Sequence, residues 1–374
     1  MLEDMRADVL KDVRADLLED IHTDVLAASA GNDAQSLHVN RFGGSRSTYV
    51  TTGRTDQEQE QDFIMNILRS AIVFLLIAMG LPTAFAAVES PKITLVYIPA
   101  SNFLNSYVAK DQGFFKAHGL DVTMTPINQG NTAVAGIMSN SAQISTPTPT
   151  TFLQAIDGGL DLVILAASHN YPTPNKVGVL AAKSANISQP RDLVGKKVGI
   201  NGLGGMQHVL LEQWLADHGV NPKSITFVEI GFPQMAEMLK SRQIDAVTIS
   251  EPFYQRVISA DIGNLVVDLQ ADIPAGTLGT MYVSTGDWAR KNPGTVAAFR
   301  AALDDAVAYI RANPDAAKKS LQTHTKMSEE LSQLVNVPNA SVKVEPAQMD
   351  FWIQLMQKQK LLSGPIDSRK IVAP

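Results

Sequence analysis

Apolar and polar positions beyond residue 91 follow two periods in turn, one typical of strands and one typical of helices. Residues 92–98 and 162–167 are short apolar runs rich in β-branched side chains, which predicts buried strands. Residues 105–118 have apolar positions at helical spacing and end before Gly119, a residue suited to the left-handed position after a helix. Strands that alternate with helices in this way predict parallel sheets assembled from βαβ units.

The alternation stops near residue 170 and restarts near residue 192, which predicts two α/β lobes. In the first lobe we expect strands at 92–98, 120–127, 143–145 and 162–167, with helices at 105–118, 132–139 and 150–157. In the second lobe we expect strands at 192–200, 225–229 and 246–249, with helices ending at 218, 241 and 259. The helix endings at 117–121 (AHGLD) and 217–221 (DHGVN) share His-Gly followed by an apolar residue and then Asp or Asn. The lobes are therefore expected to be structurally related.

Two further apolar runs, 176–182 and 278–284, fall between the lobes and are expected to be paired crossover strands. Helices at 292–312 and 345–362 would then pack back on the first lobe. The predicted fold is therefore α/β, with two α/β lobes joined by two crossover strands and a ligand cleft between the hinged lobes. The predicted lobe 1 comprises residues 91–177 plus 283–374, and the predicted lobe 2 comprises residues 178–282.

The segment before the lobes has the three parts of a secretory signal peptide at residues 65–86. A basic start at Met65, an apolar run and small residues near its end predict cleavage after Ala86. A retained membrane anchor is the alternative, because the apolar stretch approaches the length that spans a bilayer. Since a signal peptide stands at the start of a chain, we expect residues 1–64 to be a non-native or disordered extension. An eight-residue repeat at 6–29 would form one amphipathic helix there, with a genuine acidic interaction helix as the alternative.

Charge is distributed unevenly along the chain, and the lobes are neutral. The 374 residues carry a formal net charge of −6, but residues 1–64 hold 13 acidic and 6 basic side chains. Beyond Ala86 there are 24 of each sign, without the clustered Lys and Arg that nucleic acid requires, so no nucleic-acid partner is expected. The absence of cysteine excludes disulfides and a thiol nucleophile.

No catalytic motif is found in the chain, so the sequence predicts a binding protein and not an enzyme. The seven histidines have no metal-ligand spacing, and no P-loop, G-x-S-x-G or H-E-x-x-H motif is present. Gly202, Gly204 and Gly205 approach a dinucleotide fingerprint, but Gln207 stands where that fingerprint needs glycine. We therefore expect no cofactor and no metal. Free N–H groups at 205–207 would still suit an anionic group, with a simple tight turn as the alternative.

Loops at the carboxyl ends of strands are where open α/β sheets bind ligands, and here those loops carry mostly uncharged polar and aromatic side chains. Some of these residues would also cap helices, as Thr148 would for the helix at 150–157. Their convergence from both lobes favours a shared ligand site. The candidate ligand-binding residues are Ser101, Asn102, Phe103, Gly130, Asn131, Thr146, Thr148, His169, Asn170, Tyr171, Gly204, Gly205, Met206, Gln207, His208, Phe232, Glu251 and Phe253.

Several phrases of the sequence are similar to those of a known family. In order, they resemble phrases of the periplasmic solute-binding proteins of the nitrate, sulfonate, taurine and bicarbonate ABC importer family: 107–122 (YVAKDQGFFKAHGLDV), 192–199 (DLVGKKVG), 241–246 (SRQIDA) and Glu251-Pro252. The resemblance implies a type II periplasmic binding fold in the periplasm, without chemistry of its own. It implies a small-molecule solute, expected to be anionic, that is delivered to an ABC importer permease in the inner membrane. The implied site loops are 101–103, 146–148 and 204–208, and we expect a monomer.

The sequence leaves the identity of the solute open. The cleft loops contain no Lys or Arg, with Arg256 the nearest candidate, so a small organic acid or sulfonate is preferred over simple nitrate. Four aromatic residues could contact an apolar body: Phe103, Tyr171, Phe232 and Phe253. The alternatives are a thiamine-pyrimidine-synthase-like enzyme or a ligand-sensing domain on the same fold. A further catalytic alternative has Glu251 as general base with His169 or His208.

Overall fold

The computed structural model describes residues 88–128 and 132–374. Within these ranges, no helix has the length and apolar character needed to cross a membrane. Several predictions lie outside the described residues: the extension at 1–64, the signal peptide at 65–86, and the candidate residues Gly130 and Asn131.

Ten strands of the described residues form two five-stranded sheets. They are Lys92–Tyr97 (β1), Asp121–Pro126 (β2), Ile144–Ser145 (β3), Leu162–Asn170 (β4), Val177–Ala182 (β5), Lys197–Ile200 (β6), Thr226–Glu229 (β7), Ala246–Ser250 (β8), Gly263–Asp268 (β9) and Leu278–Thr285 (β10). The first sheet has the order β2-β1-β3-β10-β4, and the second has the equivalent order β7-β6-β8-β5-β9. In each sheet the fourth strand is antiparallel to its neighbours, so both sheets are mixed. The prediction of parallel sheets is wrong for these strands. The equivalent orders agree with the expectation that the lobes are structurally related.

The predicted crossover strands correspond to β5 and β10, and their pairing corrects one expectation. They do not pair with each other, because β5 lies between β8 and β9 whereas β10 lies between β3 and β4. The chain crosses between the sheets at 171–176 and 269–277, directly before each of these strands. Residues 278–282, predicted to belong to lobe 2, therefore lie in the sheet of lobe 1. An apolar run indicates that a strand is buried, but it does not determine which strands lie beside it.

Twelve α-helices in the described part of the chain pack around the sheets. They are Leu104–Asp111 (α1), Phe114–Ala117 (α2), Thr132–Met138 (α3), Pro149–Asp157 (α4), Met206–Asp217 (α5), Phe232–Lys240 (α6), Phe253–Ser259 (α7), Gly286–Lys291 (α8), Pro293–Ala312 (α9), Pro314–Thr325 (α10), Glu329–Leu334 (α11) and Asp350–Lys358 (α12). Short 3-10 helices lie at Ser101–Phe103, Lys183–Ala185, Pro190–Leu193, Pro222–Ser224, Pro346–Met349 and Ser368–Lys370.

Some predicted elements differ from the structure in their limits. The predicted helix at 105–118 is divided into α1 and α2, because Gly113 between them has a left-handed φ of 79°. The predicted strand at 192–200 begins only at Lys197, and the predicted helix at 345–362 is a 3-10 turn followed by α12. The prediction lacks β9, α8, α10 and α11, which bury few apolar residues and so give a weak hydrophobic pattern.

Two of the C-terminal helices pack on the first lobe, where the sequence analysis expected them. On α9, Phe299 is fully buried and stacks on Phe115 with ring centroids 5.5 Å apart. On α12, Trp352 is fully buried and its indole Nε1 donates to the Leu278 carbonyl oxygen at 2.7 Å. Just beyond α12, Gln359 donates to the backbone of α5 at 2.9 Å, so this end also contacts the second lobe.

Replacing Trp352 by phenylalanine is expected to lower the free energy of unfolding by about 2 kcal/mol, because the buried Leu278 carbonyl loses its indole donor. Trp352→Ala is expected to cost about 4 kcal/mol, since it also leaves a cavity. Urea unfolding of the full-length protein measures both changes, with Phe351→Leu at the partly buried neighbouring position as the control. Wild-type stability in Trp352→Phe would contradict the role assigned to this hydrogen bond.

Candidate ligand-binding site

A cleft of about 710 Å³, its open mouth included, lies between the two lobes. Its lining comes from loops that follow β1, β3, β6 and β7 and from the ends of three further strands. None of the described lining residues is Lys, Arg, Asp or Glu, and many are apolar. The lining residues are Ile98, Ala100, Asn102, Phe103, Thr146, Pro147, Thr148, Thr151, Val177, Asn201, Gly202, Leu203, Gly205, Met206, Gln207, His208, Phe232, Ser250 and Thr280.

The amino end of α5 is part of this lining. Gly205 is its N-cap residue and supplies no side-chain cap, so the N–H groups of Met206, Gln207 and His208 have no intrahelical partner. The Gly205 N–H was predicted to be free, but it donates to the Gly202 carbonyl oxygen at 3.1 Å. The free N–H groups and the positive end of the helix dipole suit a negatively charged group.

The amino end of α4 also reaches the cleft, but it is capped from within. Thr148 caps α4 as predicted, with its Oγ1 accepting from the Thr151 N–H at 3.3 Å. The same hydroxyl lies 3.1 Å from Thr150 Oγ1 and 2.8 Å from Thr151 Oγ1. Because α4 starts with Pro149 and has this cap, it leaves fewer free donors than α5 does.

Two polar side chains on the first turn of α5 line the cleft without carrying charge. Burial lowers the pKa of His208 to about 4, so its imidazole is neutral at pH 7. Its Nδ1 accepts from the Gly204 N–H at 3.1 Å, which assigns the proton to Nε2, and that nitrogen lies 3.6 Å from the carboxylate oxygen Oε1 of Glu212. Gln207 is only 8% exposed, and its Oε1 has no hydrogen-bond partner. The cleft therefore offers dipoles and N–H groups to a solute in place of a cationic side chain.

Nine of the predicted site residues line the cleft: Asn102, Phe103, Thr146, Thr148, Gly205, Met206, Gln207, His208 and Phe232. Seven others lie outside this lining: Ser101, His169, Asn170, Tyr171, Gly204, Glu251 and Phe253. Arg256 also lies outside it, with its guanidinium carbon 5.4 Å from the centroid of the Phe253 ring. The predicted loops thus reach the cleft, but only some of their side chains line it.

Three of these seven residues support the lining from behind. His169 Nδ1 lies 2.6 Å from the Thr280 Oγ1, and the Tyr171 hydroxyl donates to the Met206 sulfur at 3.7 Å. Phe253 stacks on Phe232 with ring centroids 5.7 Å apart. The Asn170 side chain instead contacts Ser341 at 3.4 Å. Gly204 has a left-handed φ of 71°, and a Cβ there would lie 2.7 Å from the Gln154 side chain.

Ser101 and Glu251 join the two lobes beside the cleft. The N–H and Oγ of Ser101 donate to the Glu251 carbonyl oxygen at 3.2 and 3.3 Å. A second contact between the lobes has Asn201 Nδ2 donating to the Asn128 carbonyl oxygen at 3.0 Å. The Glu251 carboxylate accepts from the Gln255 N–H at 3.2 Å, and burial raises its pKa to about 7. Glu251 thus holds the lobes together through its backbone and does not present its carboxylate to the cleft.

Ten lining residues are not among the predicted ligand-binding residues, although Pro147 lies within the implied site loop 146–148, and most of the others are close neighbours of predicted residues. Val177 and Thr280 are not close neighbours of predicted site residues. Both lie in strands that were expected only to connect the lobes. The missed residues are Ile98, Ala100, Pro147, Thr151, Val177, Asn201, Gly202, Leu203, Ser250 and Thr280.

A family model described as NMT1/THI5 like matches residues 100–317, which is more than half of the chain. The chain belongs to the NMT1/THI5-like family. The match spans both lobes and includes every described lining residue except Ile98.

Several curated relatives are similar to this chain at about 25% identity. The nitrate/nitrite binding protein NrtA of Nostoc sp. is 25% identical over 242 residues, which cover 59% of this chain and 54% of NrtA. The chain thus spans about half the length of that relative. The taurine-binding periplasmic protein of Escherichia coli is 25% identical over 297 residues, covering 76% and 86%. The 4-amino-5-hydroxymethyl-2-methylpyrimidine phosphate synthase THI11 of Saccharomyces cerevisiae is 24% identical over 259 residues, covering 65% and 74%.

Solved structures confirm the predicted fold. The alkanesulfonate-binding protein SsuA from Xanthomonas axonopodis pv. citri, bound to MOPS, matches with a TM-score of 0.66 and 18% identity, covering 76% of this chain and 99% of SsuA. The periplasmic nitrate-binding protein NrtA from Synechocystis PCC 6803 matches with a TM-score of 0.64 and 16% identity, covering 76% and 86%. The chain therefore has the two-lobed periplasmic binding protein fold.

Proposed function

We propose that this protein is the solute-binding component of an ABC importer and captures a small organic anion between its lobes. The observation that carries this function is the uncapped amino end of α5 in a largely apolar cleft that both lobes line. Relatives named for nitrate and taurine binding support the same class of function. The family resemblance supports a periplasmic location, an inner-membrane permease as partner and a monomeric protein.

The composition of the cleft favours a sulfonate or carboxylate with an apolar body over a bare inorganic anion. The acid group would accept from the free N–H groups at 206–208, where the helix dipole offsets its charge without a cation. The body would contact the rings of Phe103 and Phe232 and the Met206 side chain, all of which line the cleft. Nitrate would leave these apolar walls without a partner.

Hinge closure is the proposed mechanism of capture. The solute contacts one lobe first, and the other lobe then closes on it and excludes water, so that binding and closure are thermodynamically linked. The contacts Ser101–Glu251 and Asn128–Asn201 join the lobes around the cleft in the described structure. They would form as the lobes close, and the closed shape would be the one that docks on the permease.

A thermal-shift screen of ligand-stripped full-length protein tests this function. We expect one class among 1-butanesulfonate, benzenesulfonate, taurine, butyrate and benzoate to raise the unfolding temperature more than nitrate or bicarbonate. At 100 times its dissociation constant, such a solute stabilises the folded state by about 2.7 kcal/mol. Small-angle scattering should then show a more compact protein in the presence of that solute. The absence of a shift with every solute would contradict the proposal.

The similarity to the yeast pyrimidine synthase favours an enzyme on the same fold as a second candidate. The side chains suggested as general base and partner are not combined in the cleft, because Glu251 and His169 lie outside its lining and only His208 lines it. Mass spectrometry after prolonged incubation distinguishes the two functions. Stoichiometric recovery of the unchanged solute supports transport, whereas consumption of the solute supports catalysis.

A further inference from the structure

His169 is fully buried behind the cleft and is in contact with a single cleft-lining hydroxyl. Its Nδ1 lies 2.6 Å from Thr280 Oγ1, which is short enough for a well-formed hydrogen bond. β4 and β10 pair these two residues directly, and the register shifts on both sides of Thr280. Burial lowers the pKa of His169 to about 3, so the imidazole is neutral at pH 7.

The other ring nitrogen of His169 is enclosed without a hydrogen-bond partner. Nε2 is buried and no described group donates to it or accepts from it. The ring occupies the space beside Gly279, where a Cβ would collide with Nε2 and its neighbouring carbons. The register shift at Gly279 and the absence of a side chain there allow the imidazole to pack against the backbone of β10.

The unpaired Nε2 indicates which nitrogen carries the proton. With the proton on Nε2, an N–H group would be buried without an acceptor, and such orphaned donors are rare in folded proteins. With the proton on Nδ1, the imidazole donates to Thr280 Oγ1 and only a lone pair remains at Nε2. The Nδ1–H form is therefore the favoured tautomer.

A Thr280 hydroxyl that accepts from His169 has its own proton left to donate. The Asn102 carbonyl oxygen lies 3.5 Å from Thr280 Oγ1, at the limit for a hydrogen bond. That carbonyl already accepts from Ser168 Oγ at 2.6 Å. Since Thr280 lines the cleft, its hydroxyl proton is available to a solute.

We propose that His169 fixes Thr280 as a hydrogen-bond donor into the cleft, so that the cleft selects solutes with an oxygen acceptor at this wall. The inference rests on the proposed function and adds a recognition point in lobe 1 to the α5 end in lobe 2. Thr280 would contact the solute, and His169 is a positioning residue. Sulfonate, carboxylate and carbonyl oxygens satisfy this wall, whereas an ammonium group does not, because it has no acceptor to offer.

Nitrogen NMR of the full-length protein labelled at histidine tests the tautomer without any solute. We expect the His169 resonances, assigned by their loss in His169→Phe, to show a protonated Nδ1 and an unprotonated Nε2. A protonated Nε2 would overturn the inference, because Thr280 would then donate to His169 and have no proton for the solute.

Binding of 1-butanesulfonate, measured by calorimetry, tests the role of the hydroxyl. Thr280→Val is expected to weaken binding about 10-fold, whereas Thr280→Ser, which keeps the hydroxyl, is expected to stay within about 3-fold of wild type. Thr248→Val is the matched control, because Thr248 is a fully buried threonine of β8 outside the cleft lining. Wild-type affinity in Thr280→Val would overturn this inference and leave the proposed function standing. Failure of the wild-type protein to bind any of the screened anions would overturn both.

Discussion

Replacing Gln207 by glutamate is expected to weaken the binding of an anionic solute by at least about 100-fold. Gln207 lies on the first turn of α5, lines the cleft, is 8% exposed and has an Oε1 without a hydrogen-bond partner. A carboxylate at this place would add a negative charge to the cleft lining and repel the solute. Two like charges about 4 Å apart repel each other by about 4 kcal/mol at an effective dielectric constant near 20. Because glutamate has the shape of glutamine, the packing of the cleft stays the same.

Calorimetric titration with the anion that gives the largest thermal shift measures this loss. Asn221→Asp provides a matched control, since it adds the same charge beyond the other end of α5, where Asn221 Oδ1 accepts from the Lys223 N–H. We expect that control to bind within about 2-fold of wild type, because an exposed charge this far from the cleft is screened by salt. Wild-type affinity in Gln207→Glu would show that the anion binds elsewhere.

Replacing Glu251 by glutamine is expected to stabilise the protein by about 3 kcal/mol at pH 8 and to have little effect near pH 4.5. Burial raises the pKa of Glu251 from its ordinary value of 4.5 to about 7. The folded state therefore holds a proton that the unfolded state releases between these pH values. The stability of the wild type relative to the variant falls as pH rises through this window, by up to about 1.4 kcal/mol per pH unit. Glutamine keeps an oxygen that accepts from Gln255 N–H but carries no charge.

Urea unfolding of both proteins from pH 4.5 to pH 8 measures this difference. Buried His169 and His208, whose pKa values are lowered, also make stability pH-dependent, but they do so equally in both proteins. Glu237→Gln, the same change at an exposed position of α6, is the control and should follow the wild-type profile. A constant difference between Glu251→Gln and wild type across this pH range would contradict the assignment.

The alternation of short apolar runs and helical runs was enough to predict two α/β lobes and the loops that form the cleft. The residues at helix ends also predicted that Gly119 ends the helix before it and that Thr148 caps α4, because capping depends on residues a few positions apart. The alternation did not predict the weakly apolar edge strand β9 or the partners of β5 and β10. Strand pairing joins residues far apart in the chain, and local periodicity does not record it.

The sequence by itself determined the fold class, the neutral charge of the lobes and the family resemblance that its phrases carry. Only the tertiary structure decided which side chains face the cleft. The contact between His169 and Thr280 and the contact between Ser101 and Glu251 each join residues more than a hundred positions apart. Whether a residue of a cleft loop meets the solute or supports it from behind depends on strand register and on the packing of two separate lobes. Both are long-range properties that no local pattern of residues contains.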